Sequence, residues 1–144
     1  MTIETDRKLL DILSRLDKLE SNPTEASSGV YTPTLFNVVN VAASTAYECR
    51  WQRAGNTVTV SGRVDIDPTA AAPTATELGI SLPVASAFSS ANREECAGVG
   101  HATTVTAQHG AIRSDPTNDR AEYLFDATSA ANVTHHFTFT YVII

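Results

Sequence analysis

The apolar positions along the chain follow two different periods, one before residue 23 and another after residue 30. In the first segment, "RKLLDILSRLDKLESNP", they recur at spacings of three and four residues, at Leu9, Ile12, Leu16 and Leu19. This spacing predicts an amphipathic helix with an apolar seam at the a and d positions of a coiled coil. Leu10 and Leu13 lie beside this seam and widen it. Asn22-Pro23 ends the helix, because proline disfavours helical backbone in the residue before it.

The helix is too short to be stable alone. About 18 residues span about 27 Å, and isolated helices of this length are marginal in water because nucleation is costly. Its apolar stripe can be buried by folding back on the same chain, or in a parallel three-stranded stem. Arg15 at g and Glu20 at the following e favour the stem, and so does the separating segment "SNPTEASSG". We therefore expect a trimerisation stem over residues 1–22 and a linker over 23–30, with stem contacts at Leu9, Ile12, Leu13, Leu16 and Leu19.

From Tyr31 onward the apolar period is two, which is typical of β-strands. "TVTVSGRVDID" places Val58, Val60, Gly62, Val64 and Ile66 on one face, as in an antiparallel strand buried on one side. "AYECRWQR" alternates similarly, and Gly55 and Asn56 are suited to positive φ in the intervening hairpin turn. Further strands are predicted at about 35–43, 76–82, 95–106, 110–114, 120–127 and 133–144. About eight short strands predict a mostly β fold, a single antiparallel β-sandwich or jelly roll over residues 31–144.

The last predicted strand, "VTHHFTFTYVII", has apolar residues on both faces near its end. One face carries His135, Phe137, Phe139, Tyr141 and Ile143, and we expect it to lie in the core. Val142 and Ile144 lie on the other face, where a monomer would leave them in water. They are the candidate subunit-interface residues.

Composition narrows the classes of partner. A net charge of -6 with scattered basic residues argues against a nucleic-acid partner. There is no apolar run of about 18 residues, so no membrane insertion is expected, and the N-terminus lacks the pattern of a secretory signal peptide.

The two cysteines, Cys49 and Cys96, could form one bridge, but two buried free thiols are expected in a protein made in a reducing cytoplasm.

The sequence carries no recognisable catalytic motif, and we expect neither an enzyme nor a cofactor. His135 and His136 point to opposite faces of a strand, and His101 and His109 are eight residues apart, so no metal site is expected from histidine. A calcium site among the aspartates remains an alternative, although turn formation is their default role: Asp65, Asp67, Asp115, Asp119 and Asp126.

A set of short motifs marks the β region: "YTPT", "NVVNV", the hairpin "GNTVTVSG", "LGISLP" and the closing aromatic strand "FTFTYVII". Together they resemble a domain that recurs in bacteriophage structural proteins, at the distal ends of tail fibres and in short virion-surface proteins. The resemblance covers roughly residues 30–144. It implies a β-sandwich homotrimer on the virion surface, synthesised in the host cytoplasm, and it supplies no catalytic residues.

Two functions fit this reading. The first is a trimeric capsid decoration (cement) or short head-fibre protein bound to a phage capsid protein, because a small trimer matches three-fold positions of a capsid lattice. The alternative is a tail-fibre tip or receptor-binding knob, whose loops "DPTAAAPTAT" and "SAFSSANREE" would contact a host-surface glycan or protein. The remaining hypotheses are a non-viral interaction module and a small hydrolase.

Overall fold

A computed structural model describes residues 3–20 and 26–144, and in the helix it describes the side chains of residues 3–17. Helix α1 covers Ile3–Glu20, as the apolar spacing predicted. Glu4 and Asp6 lie in its first turn, where acidic groups interact favourably with the helix dipole. The predicted helix end at Asn22-Pro23 lies outside the described residues.

The rest of the described chain, residues 26–144, is called the β domain below. It forms an antiparallel sheet of ten strands. The strands are β1 Ser27–Tyr31, β2 Leu35–Val39, β3 Val41–Ala46, β4 Cys49–Ala54, β5 Thr57–Pro68, β6 Thr74–Ser81, β7 Cys96–Ala102, β8 His109–Asp115, β9 Arg120–Ala127 and β10 Val133–Val142. Their order is β1-β4-β5-β10-β7-β8-β9-β6-β2, and β3 pairs with β5. The predicted mostly β, antiparallel fold with one short N-terminal helix is confirmed.

The sheet curls because one bent segment pairs with two distant strands. β2 pairs with β6, whereas β3, one residue further on, pairs with β5. Asn40 makes the bend with a φ of 55°, a conformation that asparagine tolerates better than most residues. The Nδ2 of Asn40 donates to the Ala70 carbonyl at 2.9 Å and to the Thr76 hydroxyl at 2.8 Å. The side-chain oxygen Oδ1 of Asn40 accepts from the Ala70 N–H at 2.8 Å. The prediction of one continuous strand over 35–43 was therefore wrong.

The hairpin between β4 and β5 is confirmed, with one correction. Ala54 lies opposite Thr57, so the turn contains only Gly55 and Asn56. Gly55 has a φ of 60°, which fits glycine at the first central position of a type II′ turn. The described non-glycine residues with positive φ are Asn40, Ala87 and Asp119. Asn56 is not among them, because a turn of this type needs positive φ only at its first central residue.

Several element boundaries differ from the sequence expectations, and β10 ends at Val142 where a strand to residue 144 was predicted. β1 occupies Ser27–Tyr31, in the segment predicted as a linker, because its polar, glycine-containing sequence pairs along the edge of β4. The strand predicted at 95–106 ends at Ala102, where the backbone turns and the Ala102 N–H donates to the Gln108 carbonyl at 2.8 Å.

The core lies inside the curl and is centred on β10. β10 pairs with β5 on one side and β7 on the other, and its inward residues Phe137, Phe139 and Tyr141 are at most 5% exposed. They pack in one cluster with apolar side chains of β5, β6, β8 and β9, including Val60, Leu78, Ile112 and Tyr123. The predicted inward faces of the fifth and last strands are therefore confirmed.

Candidate functional site

The apolar stripe of α1 is exposed. Every described side chain from Ile3 to Asp17 is exposed. The large apolar side chains of the predicted stem are between 48% and 66% exposed: Leu9, Leu10, Ile12, Leu13 and Leu16. The side chain of Leu19, the fifth predicted stem contact, lies outside the described part of the chain, as does that of Glu20. The β domain therefore does not cover the described stripe, which is free to contact another chain.

A second exposed apolar site lies at the C-terminal end of β10. Val142 is 36% exposed and Ile144 is 64% exposed, both on the outer side as predicted. The backbone here is held on two sides, because the Ile143 N–H donates to the Asn56 carbonyl at 2.7 Å and the Ile144 N–H donates to the Ser86 carbonyl at 2.9 Å. The Ser86 hydroxyl also donates to the Val142 carbonyl. Val142 and Ile144 are thus presented from fixed backbone.

The loop that holds this end is itself anchored by one carboxylate. Asp119 accepts the backbone N–H groups of Ser86 and Phe88, each at 3.1 Å. The Tyr141 hydroxyl donates to the Val84 carbonyl at 2.7 Å. These contacts give Asp119 a structural role and tie the C-terminal end to the core.

The outer faces of β5 and β10 continue this site as an uncharged strip. Thr57 lies opposite Val142, Thr59 opposite Thr140 and Ser61 opposite Thr138. The hydroxyls of Thr59 and Thr140 are hydrogen-bonded at 2.9 Å. Short hydroxylated side chains keep the strip flat, so a second subunit could approach the sheet closely around Val142.

Inside the sheet, His135 belongs to a buried polar network. It is 0% exposed, and its Nε2 and Nδ1 lie 3.0 Å from the Gln108 amide nitrogen and the Tyr123 hydroxyl respectively. The Gln108 carbonyl oxygen accepts from the Thr128 N–H at 3.0 Å. The Gln108 NH₂ therefore faces the ring, which makes Nε2 the acceptor and leaves the proton on Nδ1. Burial, with a smaller contribution from the nearby His101, lowers the pKa of His135 to about 4.

The other three histidines lie in one row on the outer face, which the sequence did not reveal. His136 lies opposite His101 across β10 and β7, and His101 lies opposite His109 across β7 and β8. All three are exposed. Only the pairing of the strands creates this row, because the residues are separated by 8 and 27 positions in the sequence. Among the described residues, no group of three or more His, Cys, Asp or Glu side chains is arranged to hold a metal ion.

The aspartates considered for calcium belong to no group of three or more potential ligands among the described residues. Asp65 accepts the Thr134 hydroxyl at 2.6 Å and the Tyr47 hydroxyl at 2.7 Å, and these hydrogen bonds lower its pKa. Asp115 pairs with Arg120 at 2.8 Å and accepts the Asn118 amide in the turn after β8. Asp67 lies on β5 and Asp126 lies on β9. Asp115 therefore has the turn-forming role that the sequence suggested.

A carboxyl pair lies on the outer face of β6 and β9. Glu122 is ion-paired with Arg113 at 2.5 Å and with Arg93 at 3.1 Å. Glu77 hydrogen-bonds to Glu122, and this bond, together with burial, raises the pKa of Glu77 to about 7. Below about pH 7 the two carboxyl groups thus share one proton, which lies on Glu77, and the negative charge lies on Glu122. Glu77 and His109 also line a shallow cleft of about 480 Å³ with Leu124 and Asp126.

The two thiols offer no reactive nucleophile. Cys49 and Cys96 are free and buried, as expected for a reducing environment. Burial raises the pKa of Cys49, and it raises that of Cys96 to about 12. Both therefore remain protonated and act as small core side chains.

Comparisons of the chain with protein-family models, with curated proteins and with solved structures found no match. Within residues 3–20 and 26–144, no helix is both long enough and apolar enough to cross a membrane.

Proposed function

We propose that this protein is a homotrimeric structural component of a bacteriophage virion, a capsid decoration or short head-fibre protein. Helix α1 would form the trimeric stem, and the β domain would form a jelly-roll-like knob at the particle surface. The proposal gives the protein no enzymatic role and no cofactor. The observation that carries it is the exposed apolar stripe of α1, on a helix that stands before a β domain with its own complete core.

The first heptad of the stripe has a composition that favours more than two helices, although the second d position, Leu19, is leucine. Leu9 and Leu16 occupy a positions, and Ile12 occupies the d position between them. Leucine at a with isoleucine at d shifts parallel coiled coils from dimers towards trimers and tetramers. Fully burying one such side chain contributes roughly 1.5–3 kcal/mol, so three helices together could stabilise a stem that one helix cannot.

The C-terminal end supports assembly independently of the helix. Val142 and Ile144 are exposed, fixed in position and continuous with the uncharged strip of β5 and β10. A second subunit on this surface would cover both side chains. The resemblance of residues 30–144 to phage surface domains points to the same class of assembly and to a place on the virion.

The test is reconstitution on capsids. Untagged protein would be added to particles of the encoding phage that were assembled without it, and bound chains would be counted and located by cryo-electron microscopy. We expect binding in multiples of three chains per site, with the knobs outward. Leu16→Asp should abolish this binding, while Ser14→Asp, which adds the same side chain on the opposite side of the helix, should leave it unchanged.

The tail-fibre knob remains the second candidate, and one observation favours it. The cleft beside Glu77 and His109 is lined by apolar and hydrogen-bonding groups, and a cleft of this kind could hold a small ligand such as one sugar unit of a host glycan. If the protein is such a knob, purified trimer should block attachment of the phage to host cells and should not bind capsids. That pair of results would overturn the capsid proposal.

A further inference from the structure

The row of histidines on the outer face is created by two strand pairings. His136 and His101 are directly opposite each other in antiparallel β10 and β7, and His101 and His109 are opposite in β7 and β8. Opposite residues in antiparallel strands project from the same side of the sheet, with Cβ atoms about 4.5–5.5 Å apart. Since His135 is buried on the inner side, its neighbour His136 must face outward.

Within this row, His101 and His136 form the closest described arrangement. Their ring centroids are 5.8 Å apart and the ring planes are inclined at 82°. Zn–N bonds to histidine are about 2.0–2.1 Å long, so two rings that share one ion lie on either side of it at a separation of this order. Both side chains are exposed, so their rings can turn their nitrogens towards a common ion without disturbing the core.

Strand β5 places one basic and one acidic residue beside the pair. Arg63 lies opposite His136 on β5, but its guanidinium is held over the Tyr47 ring, 4.4 Å from the centroid. Asp65, two residues along β5 on the same face, has a lowered pKa and remains a carboxylate. The positive charge of Arg63 is therefore accompanied by a nearby negative charge, and the electrostatic cost of adding a cation is reduced.

We propose that His101 and His136 form a two-ligand binding site for a divalent transition-metal ion such as Ni²⁺, Zn²⁺ or Cu²⁺. Imidazole nitrogen is a preferred ligand for these ions, whereas Mg²⁺ and Ca²⁺ prefer oxygen. Water would fill the remaining coordination positions. The ligands must be neutral, so metal binding is coupled to proton release and weakens as the pH falls. This site is independent of the proposed place of the protein on a virion.

The test is isothermal titration of untagged, metal-free protein with Ni²⁺ and Zn²⁺ at pH 7.5. We expect one ion per chain, no heat of binding with Mg²⁺, and markedly weaker binding at pH 5.5. His101→Ala and His136→Ala should each weaken binding by about tenfold or more, because the second ligand no longer acts at high effective concentration. Unchanged thermal melting of each metal-free variant would show that its fold is intact.

His109→Ala is the matched control, because it removes an exposed histidine from the same row and leaves the pair in place. We expect this variant to bind metal like the unaltered protein. Absence of Ni²⁺ and Zn²⁺ binding to the unaltered protein would overturn the proposal, as would binding that survives both pair variants. A loss with His109→Ala as large as that with His136→Ala would overturn the assignment to this pair.

Discussion

Helix α1 and strand β10 each carry a row of large apolar side chains, but only the row of β10 is buried within its own chain. Phe137, Phe139 and Tyr141 are at most 5% exposed, whereas Leu13 and Leu16 are 48% exposed. β10 lies between two neighbouring strands over a shared core, and α1 lies outside that core. The β domain therefore contains the contacts needed for its own folding, while the helix needs a partner to bury its stripe.

Removing the end of β10 should have the largest effect. A chain that ends before Phe137 loses three buried aromatic side chains, each worth roughly 1.5–3 kcal/mol. It also removes most of the strand that lies between β5 and β7. Because the total stability of a domain is about 5–15 kcal/mol, we expect no cooperative thermal unfolding. Deletion of residues 1–22, although longer, should leave a β domain that melts cooperatively. If the β10 truncation were soluble and melted cooperatively, the contrast between the two elements would fail.

Leu16→Asp should change assembly and leave the β domain folded. In a trimeric stem the new carboxylate would be buried without a partner, at a cost of several kcal/mol. Sedimentation equilibrium should therefore show a trimer for the unaltered protein and a much weaker or absent trimer for the variant. Ser14→Asp should stay trimeric. An unaltered protein that is monomeric at micromolar concentration, or a Leu16→Asp variant that remains fully trimeric, would show that α1 is not the assembly element.

Acidic pH should destabilise the protein by protonating His135, which is buried on the inner face of β10. His135 has a pKa of about 4 in the folded chain, against about 6.5 when unfolded. The stability it contributes is complete above pH 6.5 and is lost as the pH falls towards 4, up to about 3 kcal/mol. Urea unfolding at pH 7.5, 5.5 and 4.5 should show this decline, and His135→Gln should flatten it. His136→Gln, one residue away on the outer face, should keep the decline. If the free energy of unfolding fell equally with pH in all three proteins, the acid sensitivity would come from a group other than His135.

The smallest effect should come from Glu77 on the outer face of the sheet. There the stability should fall as the pH rises, opposite to the effect of His135. The raised pKa of Glu77, about 7, means that its contribution is present below about pH 4.3 and is lost as the pH rises through 7. Glu77→Gln keeps a donor to Glu122 and removes this titration. Because Glu77 is only partly buried and solvent screens its interactions, the variant should gain less than about 1 kcal/mol at pH 8 relative to pH 5. Glu48→Gln, at an exposed position, is the control for removing one charge. A gain that is the same at both pH values would show that Glu77 does not share a proton with Glu122.

Local patterns in the sequence were enough to predict the main elements. The spacing of Leu9, Ile12 and Leu16 gave the helix, and the alternation from Val58 to Ile66 gave the buried face of the fifth strand. The same alternation correctly predicted that Tyr141 lies in the core and that the side chain of Val142 is exposed. These predictions succeeded because helix and strand periods are properties of neighbouring residues and need no knowledge of partners.

Tertiary structure decided which distant residues meet. β1 was missed because "SSGVY" has the composition of a linker and becomes a strand only through its pairing with β4. The bend at Asn40 depends on contacts with Ala70 and Thr76, some thirty residues away. The histidine row and the Glu77–Glu122 pair likewise depend on strand order and register. A one-residue shift in register would turn a side chain to the other face, so such sites are determined by the energy of the whole sheet. The sequence alone determined the helix, the strand faces and their periods, whereas strand pairing determined the bend, the buried network of His135 and the surface clusters.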